Sequence, residues 1–277
     1  MSYKTILVHV DESRHVDARI EIAAKIALAE NAHLIGAAMT GVPEVLYQTI
    51  AFSPAASIAP FLEILRQHAN NALQKFSDIA SRIGVLSVEK RLIDDEAADG
   101  LSAQARYCDL VVLGQNDPDE RSLTVSPNFP EQVIIGSGCP ALIIPYTGAL
   151  KSIGTKVLVA WNGSMEAKRA LHDAIPLLQR ADLVELVVFN PLADMQEEQA
   201  GADIALYLSR HGIRIDVKEE IVSDSDIGNA LLSRAADLGS DMLVMGCYGH
   251  SRFREIILGG ASRTILESMT LPVLMSH

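Results

Sequence analysis

The sequence predicts an α/β protein made of two tandem, doubly wound domains, each with a five-stranded parallel sheet. Short, almost continuously apolar runs, such as 6–10 and 110–114, alternate with stretches in which apolar residues recur every three or four positions. The first pattern is typical of strands buried on both faces, and the second of amphipathic helices. Their regular alternation indicates parallel strands joined by right-handed crossovers.

An internal repeat divides the chain into two copies of unequal length. Asp11 follows the first strand of the first copy, and Asn162 follows the matching strand of the second, 151 positions later. Further along, Gly114 and Gly246 end matching strands only 132 positions apart. The first copy therefore carries an insert, which we assign to the apolar, proline-interrupted segment 42–60. The predicted domains are 1–147 and 153–277.

Charge and composition exclude several classes of partner. The chain has 35 acidic and 23 basic residues, a net charge of -12, and no cluster of Lys and Arg that could follow a phosphate backbone. Aromatic residues make up only 5% of it, which leaves few platforms for stacking bases. We therefore expect no nucleic acid and no membrane as partner. Three widely spaced cysteines, with neither a signal peptide nor a spanning segment, predict a soluble cytoplasmic protein.

A glycine-rich stretch in the second copy is the best candidate for a binding site. Gly246 and Gly249 follow the fourth strand of this copy, and Gly259 and Gly260 precede its last helix. Ligands of doubly wound sheets bind beyond the carboxyl ends of the strands, and glycine turns and helix N-termini present backbone N–H groups to anions. The spacing favours an anion site over glycines that only mark turns.

This spacing resembles the nucleotide-binding signature of the universal stress protein family, G-2x-G-9x-G followed by Ser, Thr or Asn. The first-strand pattern, the turn 11–13 and the final Pro-Val-Leu strand also resemble that family, and the resemblance covers both copies. It implies a tandem member with an adenine-nucleotide alpha-hydrolase-like fold and ATP as its cofactor. It also implies that strands 141–144 and 273–275 pair to form an internal pseudo-dimer.

Carried over by position, the resemblance implies that the base lies near the end of the first strand and that the glycine loop holds the ribose and phosphates. Two positions depart from the family pattern: Asn162 replaces an Asp, and Gly260 replaces a residue with a hydroxyl group. Ser262 either supplies the missing hydroxyl group or is an ordinary serine at the start of a helix. His250 either neutralises phosphate charge or is an ordinary surface residue. The predicted cofactor-binding residues are Ala160, Asn162, Val188, Met245, Gly246, Gly249, His250, Gly259, Gly260, Ala261 and Ser262.

The first copy shows the opposite pattern. It keeps the acidic residue, Asp11, but two of its glycine-loop positions hold other residues. Asp117 lies within the acidic segment 115–120, and Pro127 follows that segment. Carboxylates repel a polyphosphate and proline lacks a backbone donor, so this copy is predicted not to bind ATP. It serves either as a structural partner or as the holder of another ligand under the insert.

Catalysis is not predicted beyond slow ATP hydrolysis. The sequence has no P-loop lysine and no pairing of a metal-binding carboxylate with a water-orienting residue beside the glycines, so magnesium is expected only with the nucleotide. His9 and Asp11 share a strand face, which would permit metal binding, but a lone His-x-Asp pair is more often simply packed and hydrogen-bonded. Cys247 is either a loop thiol whose pKa the backbone amides lower, with a redox role, or a buried, inert thiol, which is the default expectation. The helix residues Glu166, Lys168 and Arg169 are predicted to form a solvated face.

The leading interpretation is a stress-response protein that senses or stores ATP through its second copy. Its partners would be an adenine nucleotide and proteins of a stress response, and the sequence leaves a homodimer of the whole chain open. One alternative is a scaffold or carrier of apolar ligands. Another, an ATP-dependent enzyme of related fold, lacks the expected Ser-Gly-Gly-x-Asp-Ser motif.

Overall fold

The computed structural model describes residues 2–42, 59–120, 122, 124–148, 150, 152–190, 200–223, 227–249 and 260–277. These residues form two compact units, Ser2–Tyr146 and Thr147–His277. Almost all of the predicted insert 42–60 lies outside the described residues.

The first unit alternates strands and helices. Its described elements are β1 Thr5–His9, α1 Val16–Glu30, β2 His33–Met39, α2 Ala59–Ile83, β3 Val88–Ile93, α3 Ala97–Ala105, β4 Leu110–Gly114, α4 Phe129–Ser137 and β5 Ala141–Ile144. The strands run parallel in the order β3-β2-β1-β4-β5. The side chains of β1 and β4 are buried almost throughout, as their continuous apolar runs predict.

The second unit repeats this arrangement. Its described elements are β6 Lys156–Trp161, α5 Met165–Leu178, β7 Leu183–Phe189, α6 Ala200–Arg210, β8 Asp216–Glu220, α7 Ile227–Leu238, β9 Met242–Gly246, α8 Gly260–Ser268 and β10 Val273–Ser276. Its strands are also parallel, in the order β8-β7-β6-β9-β10. The predicted fold class of two tandem α/β units with parallel sheets is confirmed.

The strand order reverses at the first strand of each unit. β1 lies between β2 and β4, and β6 lies between β7 and β9. The crossovers leave in opposite directions on the two sides of these strands, which opens a crevice at their carboxyl ends. The candidate sites therefore lie at the ends of β1 and β4 in the first unit and of β6 and β9 in the second.

Matching aspartates hold the beginnings of the central strands in both units. The Asp109 carboxylate accepts hydrogen bonds from the backbone N–H groups of Lys4 and Thr5 at 2.6 and 2.9 Å. Asp241 accepts from Thr155 and Lys156 at 2.9 and 3.0 Å. Since each aspartate directly precedes the fourth strand, these bonds join that strand to the first strand of its own unit.

None of the helices in the described ranges combines the length and apolarity that crossing a membrane requires.

Candidate functional site

In the second unit, a pocket of about 200 Å³ lies at the carboxyl ends of β6 and β9. Residues from six separate stretches of sequence meet there, namely the end of β6, the first turn of α5, β7, α7, the end of β9 and the start of α8. The predicted site residues that line this pocket are Ala160, Asn162, Met245, Gly246, Gly249, Gly260, Ala261 and Ser262.

The other predicted site residues are placed differently. Val188 does not line the pocket, whereas its neighbours Val187 and Phe189 do. Adjacent strand residues point to opposite faces of a sheet, which places Val188 on the other face of β7 from Val187 and Phe189. His250 and Gly259 lie outside the described residues. The binding role of all these residues stays a prediction.

The apolar part of the lining comes mainly from β6, β7 and α7. Its members are Trp161, Val187, Phe189, Ile227 and Leu231. Trp161 is the single tryptophan of the chain, and its indole Nε1 is buried without a hydrogen-bond partner among the described residues. Sequence reasoning missed it, although an aromatic residue at the end of a central strand was the available signal. These side chains form a surface suited to a flat, mostly apolar ring system.

Two side chains shape the turn between β6 and α5. The Asn162 side-chain oxygen accepts a hydrogen bond from the Ser164 backbone N–H at 3.1 Å, and Ser164 Oγ accepts one from the Ala167 N–H at 3.1 Å. The first bond closes a turn of the kind that Asn and Asp both form, and the second caps the helix. Asn162 therefore keeps the turn without bringing a charge into the pocket.

The glycines after β9 permit very close packing against α5. A Cβ atom at Gly246 would collide with the backbone of Glu166 and Ala167. A Cβ atom at Gly249 would lie 2.6 Å from the Glu166 Oε2 atom. Gly246 therefore needs to be glycine for the fold itself, because backbone of the helix lies directly against it, whereas at Gly249 the nearest atoms belong to the flexible end of the Glu166 side chain.

The predicted solvated face of α5 is wrong at Glu166. This residue is only 8% exposed and lines the pocket, whereas Arg169 is exposed as predicted. The reason is helical spacing, since Glu166 lies four residues before the fully buried Ala170 and thus on the same side of the helix. That spacing was the signal available in the sequence.

In the first unit, an ion pair occupies the corresponding strand ends. Asp11 Oδ1 accepts hydrogen bonds from the Ser13 backbone N–H at 3.1 Å, from Ser13 Oγ at 2.6 Å and from Arg19 Nη2 at 2.6 Å. Arg19 is 4% exposed, and its guanidinium lies where a Cβ atom of Gly114 would be. Burial opposes ionisation of Asp11, but Arg19, His9 and the Ser13 hydrogen bonds outweigh it and hold its pKa well below the usual range.

His9 is packed beside this pair, as the sequence indicates. Its ring lies 4.6 Å from that of Phe129, centroid to centroid, and its Nδ1 is 3.7 Å from Asp11 Oδ2. Burial lowers the pKa of His9 to about 4; Asp11 acts in the opposite direction and Arg19 in the same one. The imidazole is therefore neutral at pH 7.

The family model of the universal stress proteins matches residues 2–145 and again residues 155–277. The chain belongs to this family. Universal stress protein Slr1230 of Synechocystis sp. is 29% identical over 147 residues, which cover 52% of this chain and 49% of that protein. The match thus spans about half the length of that curated relative.

Solved structures of the family share the fold of the whole chain. A universal stress protein from Archaeoglobus fulgidus DSM 4304 has a TM-score of 0.73 at 16% identity, over 98% of this chain and 97% of that one. A Pseudomonas aeruginosa UCBPP-PA14 protein assigned to the same family has a TM-score of 0.65 at 16% identity, over 99% and 93%.

This universal stress protein carries an acidic cluster where its first unit would have the glycine loop. His15 Nε2 lies 3.2 Å from Asp117 Oδ2, and Glu120 accepts a hydrogen bond from the Arg14 backbone N–H at 3.0 Å. His15, Asp117 and Glu120 bring ligand atoms within 4.8 Å of one another, the one such group found in the described part of the chain. Sequence reasoning missed it because about a hundred residues separate His15 from the two carboxylates.

Cys247 is buried, as predicted for this member of the family. Its Sγ donates to the Ser276 backbone oxygen at 3.4 Å. Burial, with a further contribution from the Glu166 carboxylate, raises the pKa of this thiol to about 12. The reactive thiolate is therefore scarce at neutral pH, which agrees with an inert cysteine.

Proposed function

We propose that this universal stress protein binds an adenine nucleotide in the pocket of its second unit and does so in a stress-response role. The observation that carries the proposal is the convergence of eight predicted residues, drawn from β6, β9 and α8, on one pocket. Each of these segments follows a central strand or precedes the last helix, where doubly wound folds bind nucleotides.

Both parts of a nucleotide have matching surroundings in this pocket. The Trp161 and Phe189 rings, with Val187, offer apolar contact to a purine. Gly246, Gly249 and the start of α8 at Gly260 offer backbone N–H groups, and the N-terminus of a helix favours anions. Among the described residues, no atom lies within 4 Å of the place that a Cβ atom of Gly260 would take.

The first unit is not the proposed nucleotide site. Its matching strand ends hold the Arg19–Asp11 pair, and Asp117 stands at the position of Gly249. Two pockets border these groups, one of about 70 Å³ and one of about 280 Å³ whose lining also includes His9, Asp11 and Ser13. We therefore propose a single nucleotide site per chain and no enzymatic activity beyond slow hydrolysis. The three free thiols support a cytoplasmic setting.

Trp161 provides a built-in reporter for the test. Titration of ATP into the purified protein should change the Trp161 fluorescence saturably, and isothermal calorimetry should give the same affinity. Gly249→Asp should weaken binding at least a hundredfold, because it places a second carboxylate against Glu166 and obstructs the loop. An unchanged fluorescence and no heat for the wild-type protein would contradict the proposal.

The control for that variant is Gly212→Asp, at a glycine in a surface turn of the same unit whose Cβ position has no atom of the described residues within 4 Å. It has a positive φ of 77°, so the variant costs some stability but changes nothing in the pocket. Equal loss of binding in both variants would indicate damage to the fold and not to the site.

A second candidate function, a carrier of apolar ligands, is favoured by a pocket of about 280 Å³ in the first unit. Its apolar lining comes from β2 and α2 and includes Ala38, Met39, Leu65, Ala69 and Ala72. Native mass spectrometry of freshly purified protein separates the two candidates, because a co-purified lipid favours the carrier and a co-purified nucleotide favours the leading proposal.

A further inference from the structure

We propose that the larger pocket of the first unit binds a primary ammonium ion that carries a compact apolar group, such as an arylalkylamine. This pocket measures about 280 Å³ and lies between the carboxyl ends of β1 and β2 and the helix α2. The inference rests on the second candidate function, a carrier of apolar ligands, and narrows its ligand to one chemical class. It concerns the other unit from the proposed nucleotide site and does not depend on nucleotide binding.

Part of this pocket is apolar. Met39 at the end of β2 and Leu65, Ala69 and Ala72 on α2 line it, and each is less than a tenth exposed. The three helix residues recur after four and three positions, so they form one stripe on the side of α2 that faces the pocket. An apolar cavity of about 150 Å³ holds benzene, so this pocket has room for a ring with a short chain.

Another part of the lining carries carboxylates. Asp11 and Glu120, whose side chains are 20% and 21% exposed, line this pocket and also the neighbouring pocket of about 70 Å³, so they lie on the wall between the two. Charges at this depth attract a cation more strongly than charges on the open surface do, because water screens them less. Glu12 also lines the larger pocket but has a partner in His68, 2.6 Å away. We therefore place the ammonium group at Asp11 and Glu120.

The cation that pairs with Asp11 lies on the other side of this wall. Arg19 lines the smaller pocket and not the larger one. The hydrogen bonds from Arg19 and Ser13 end on Asp11 Oδ1, whereas Oδ2 lies 3.7 Å from His9 Nδ1, too far for a hydrogen bond. His9 is neutral at pH 7, because burial lowers its pKa to about 4. Asp11 can thus accept a hydrogen bond from a ligand on Oδ2 and keep Arg19 on Oδ1.

A primary ammonium ion suits these groups better than an anion or a quaternary cation. Its three N–H donors match the carboxylate oxygens of Asp11 and Glu120 and the hydroxyl groups of Ser122 and Thr124, which also line the pocket. A quaternary ammonium ion has no N–H group to donate. In the described lining of the two pockets, four carboxylates accompany one guanidinium group, so a carboxylate or phosphate ligand would be repelled.

The corresponding positions of the second unit carry a different set of charges. Asn162 stands at the position of Asp11, and Arg252 at that of Glu120. Where the first unit has two carboxylates, the second has a neutral side chain and a basic one. This exchange matches a cationic ligand in the first unit and an anionic ligand in the second.

The test compares three ligands of nearly equal shape, namely phenethylamine, phenethyl alcohol and phenylacetate, by isothermal calorimetry with the full chain at pH 7. Phenethylamine should bind saturably, with one site per chain, and at least tenfold more tightly than the alcohol. Phenylacetate should give no binding heat. Saturating ATP should change the amine affinity less than twofold, because the proposed nucleotide site is in the other unit.

Two variants separate the charged part of the pocket from the apolar part. Asp11→Asn combined with Arg19→Ala removes both charges of the pair together, so neither is left buried alone. This double variant should weaken phenethylamine binding at least tenfold, to the affinity of the alcohol. Ala69→Leu places extra carbon atoms in the pocket and should weaken the binding of the amine and of the alcohol alike. Circular dichroism checks that both variants are folded.

Glu21→Gln is the matched control, because Glu21 lies on α1, pairs with Arg82 on α2 at 2.8 Å and lines neither pocket. It should bind phenethylamine as the wild-type protein does. No binding of the amine to the wild-type protein, equal binding of all three ligands, or unchanged amine affinity in the folded double variant would overturn the inference and leave ATP binding standing. Amine binding without ATP binding would overturn the proposed nucleotide site alone.

Discussion

The two units differ in the side chains that lie at the carboxyl ends of their central strands. In the first unit, Arg19 reaches from α1 to Asp11 and lies over Gly114. In the second, Ala170 stands at the position of Arg19 and Asn162 at that of Asp11. Cation and anion are exchanged together, because either one alone would be an unpaired buried charge. The protein's own ion pair thus occupies the strand ends of the first unit, whereas Ala170 and Asn162 leave those of the second unit without such a pair.

What the two sites share is as informative as what separates them. Asp11 and Asn162 both accept a hydrogen bond from the backbone N–H two residues later, at 3.1 Å in each case. The side-chain oxygen at this position therefore serves the turn in both units, and the charge serves only the first. An aspartate after the first strand is accordingly not by itself a sign of a nucleotide site in this chain.

Among the variants that test this difference between the units, a substitution of Arg19 is expected to have the largest effect on stability. Arg19→Ala leaves the largely buried Asp11 without its cation and should lower the free energy of unfolding by about 3 kcal/mol at pH 7. The double variant Arg19→Ala with Asp11→Asn reproduces the pair of the second unit and should lose clearly less. Urea denaturation of the four proteins in the cycle measures the coupling. Additive losses of unfolding free energy would show that Arg19 and Asp11 do not stabilise the first unit as a pair.

The next effect is a pH dependence confined to the first unit. The pKa of His9 is about 4 in the folded protein against 6.5 in the unfolded chain. Between these values the unfolded chain binds the additional proton, so stability is fully present above pH 6.5 and is lost as the pH falls toward 4. About 2 kcal/mol should disappear between pH 7 and pH 5.

The matched variant for that measurement is His9→Ala, since alanine is the residue at the corresponding Ala160. Its unfolding free energy should be lower at pH 7 but nearly flat down to pH 5. A wild-type slope in the variant would assign the acid sensitivity to another group. Asp11 does not interfere in this window, because its lowered pKa makes its contribution disappear only below about pH 4.

The sequence predicted the strands and the positions of the two sites, but not which charged side chains are buried there. Continuous apolar runs such as β1 and β4 predict buried parallel strands, and the repeat predicts two sites at matching strand ends. It did not predict that Glu166 and Arg19 are buried, because charged residues on a helix usually indicate its solvated side. Their burial depends on a loop or strand end far away in sequence, as with Glu166 and Gly249. Val187 and Phe189 were not predicted to line the pocket, because the sequence does not show which alternate residues of a strand buried on both faces point toward it.

The smallest expected effect comes from a variant of the first unit and tests which unit binds the nucleotide. Asp117→Asn removes the loop carboxylate that faces His15 in the first unit. Nucleotide affinity should change less than twofold, because no phosphate is placed there. Calorimetric titration of ATP into the variant and the wild-type protein checks this. A tenfold change would mean that the nucleotide site has been assigned to the wrong unit.

The central claim, a single nucleotide site per chain that lies in the second unit, is tested most directly by counting bound nucleotides. Native mass spectrometry of the full chain, titrated with ATP and Mg²⁺, should show one nucleotide per chain at saturation for the wild-type protein and none for Gly249→Asp. Two nucleotides per chain, or one that persists in Gly249→Asp, would contradict the account.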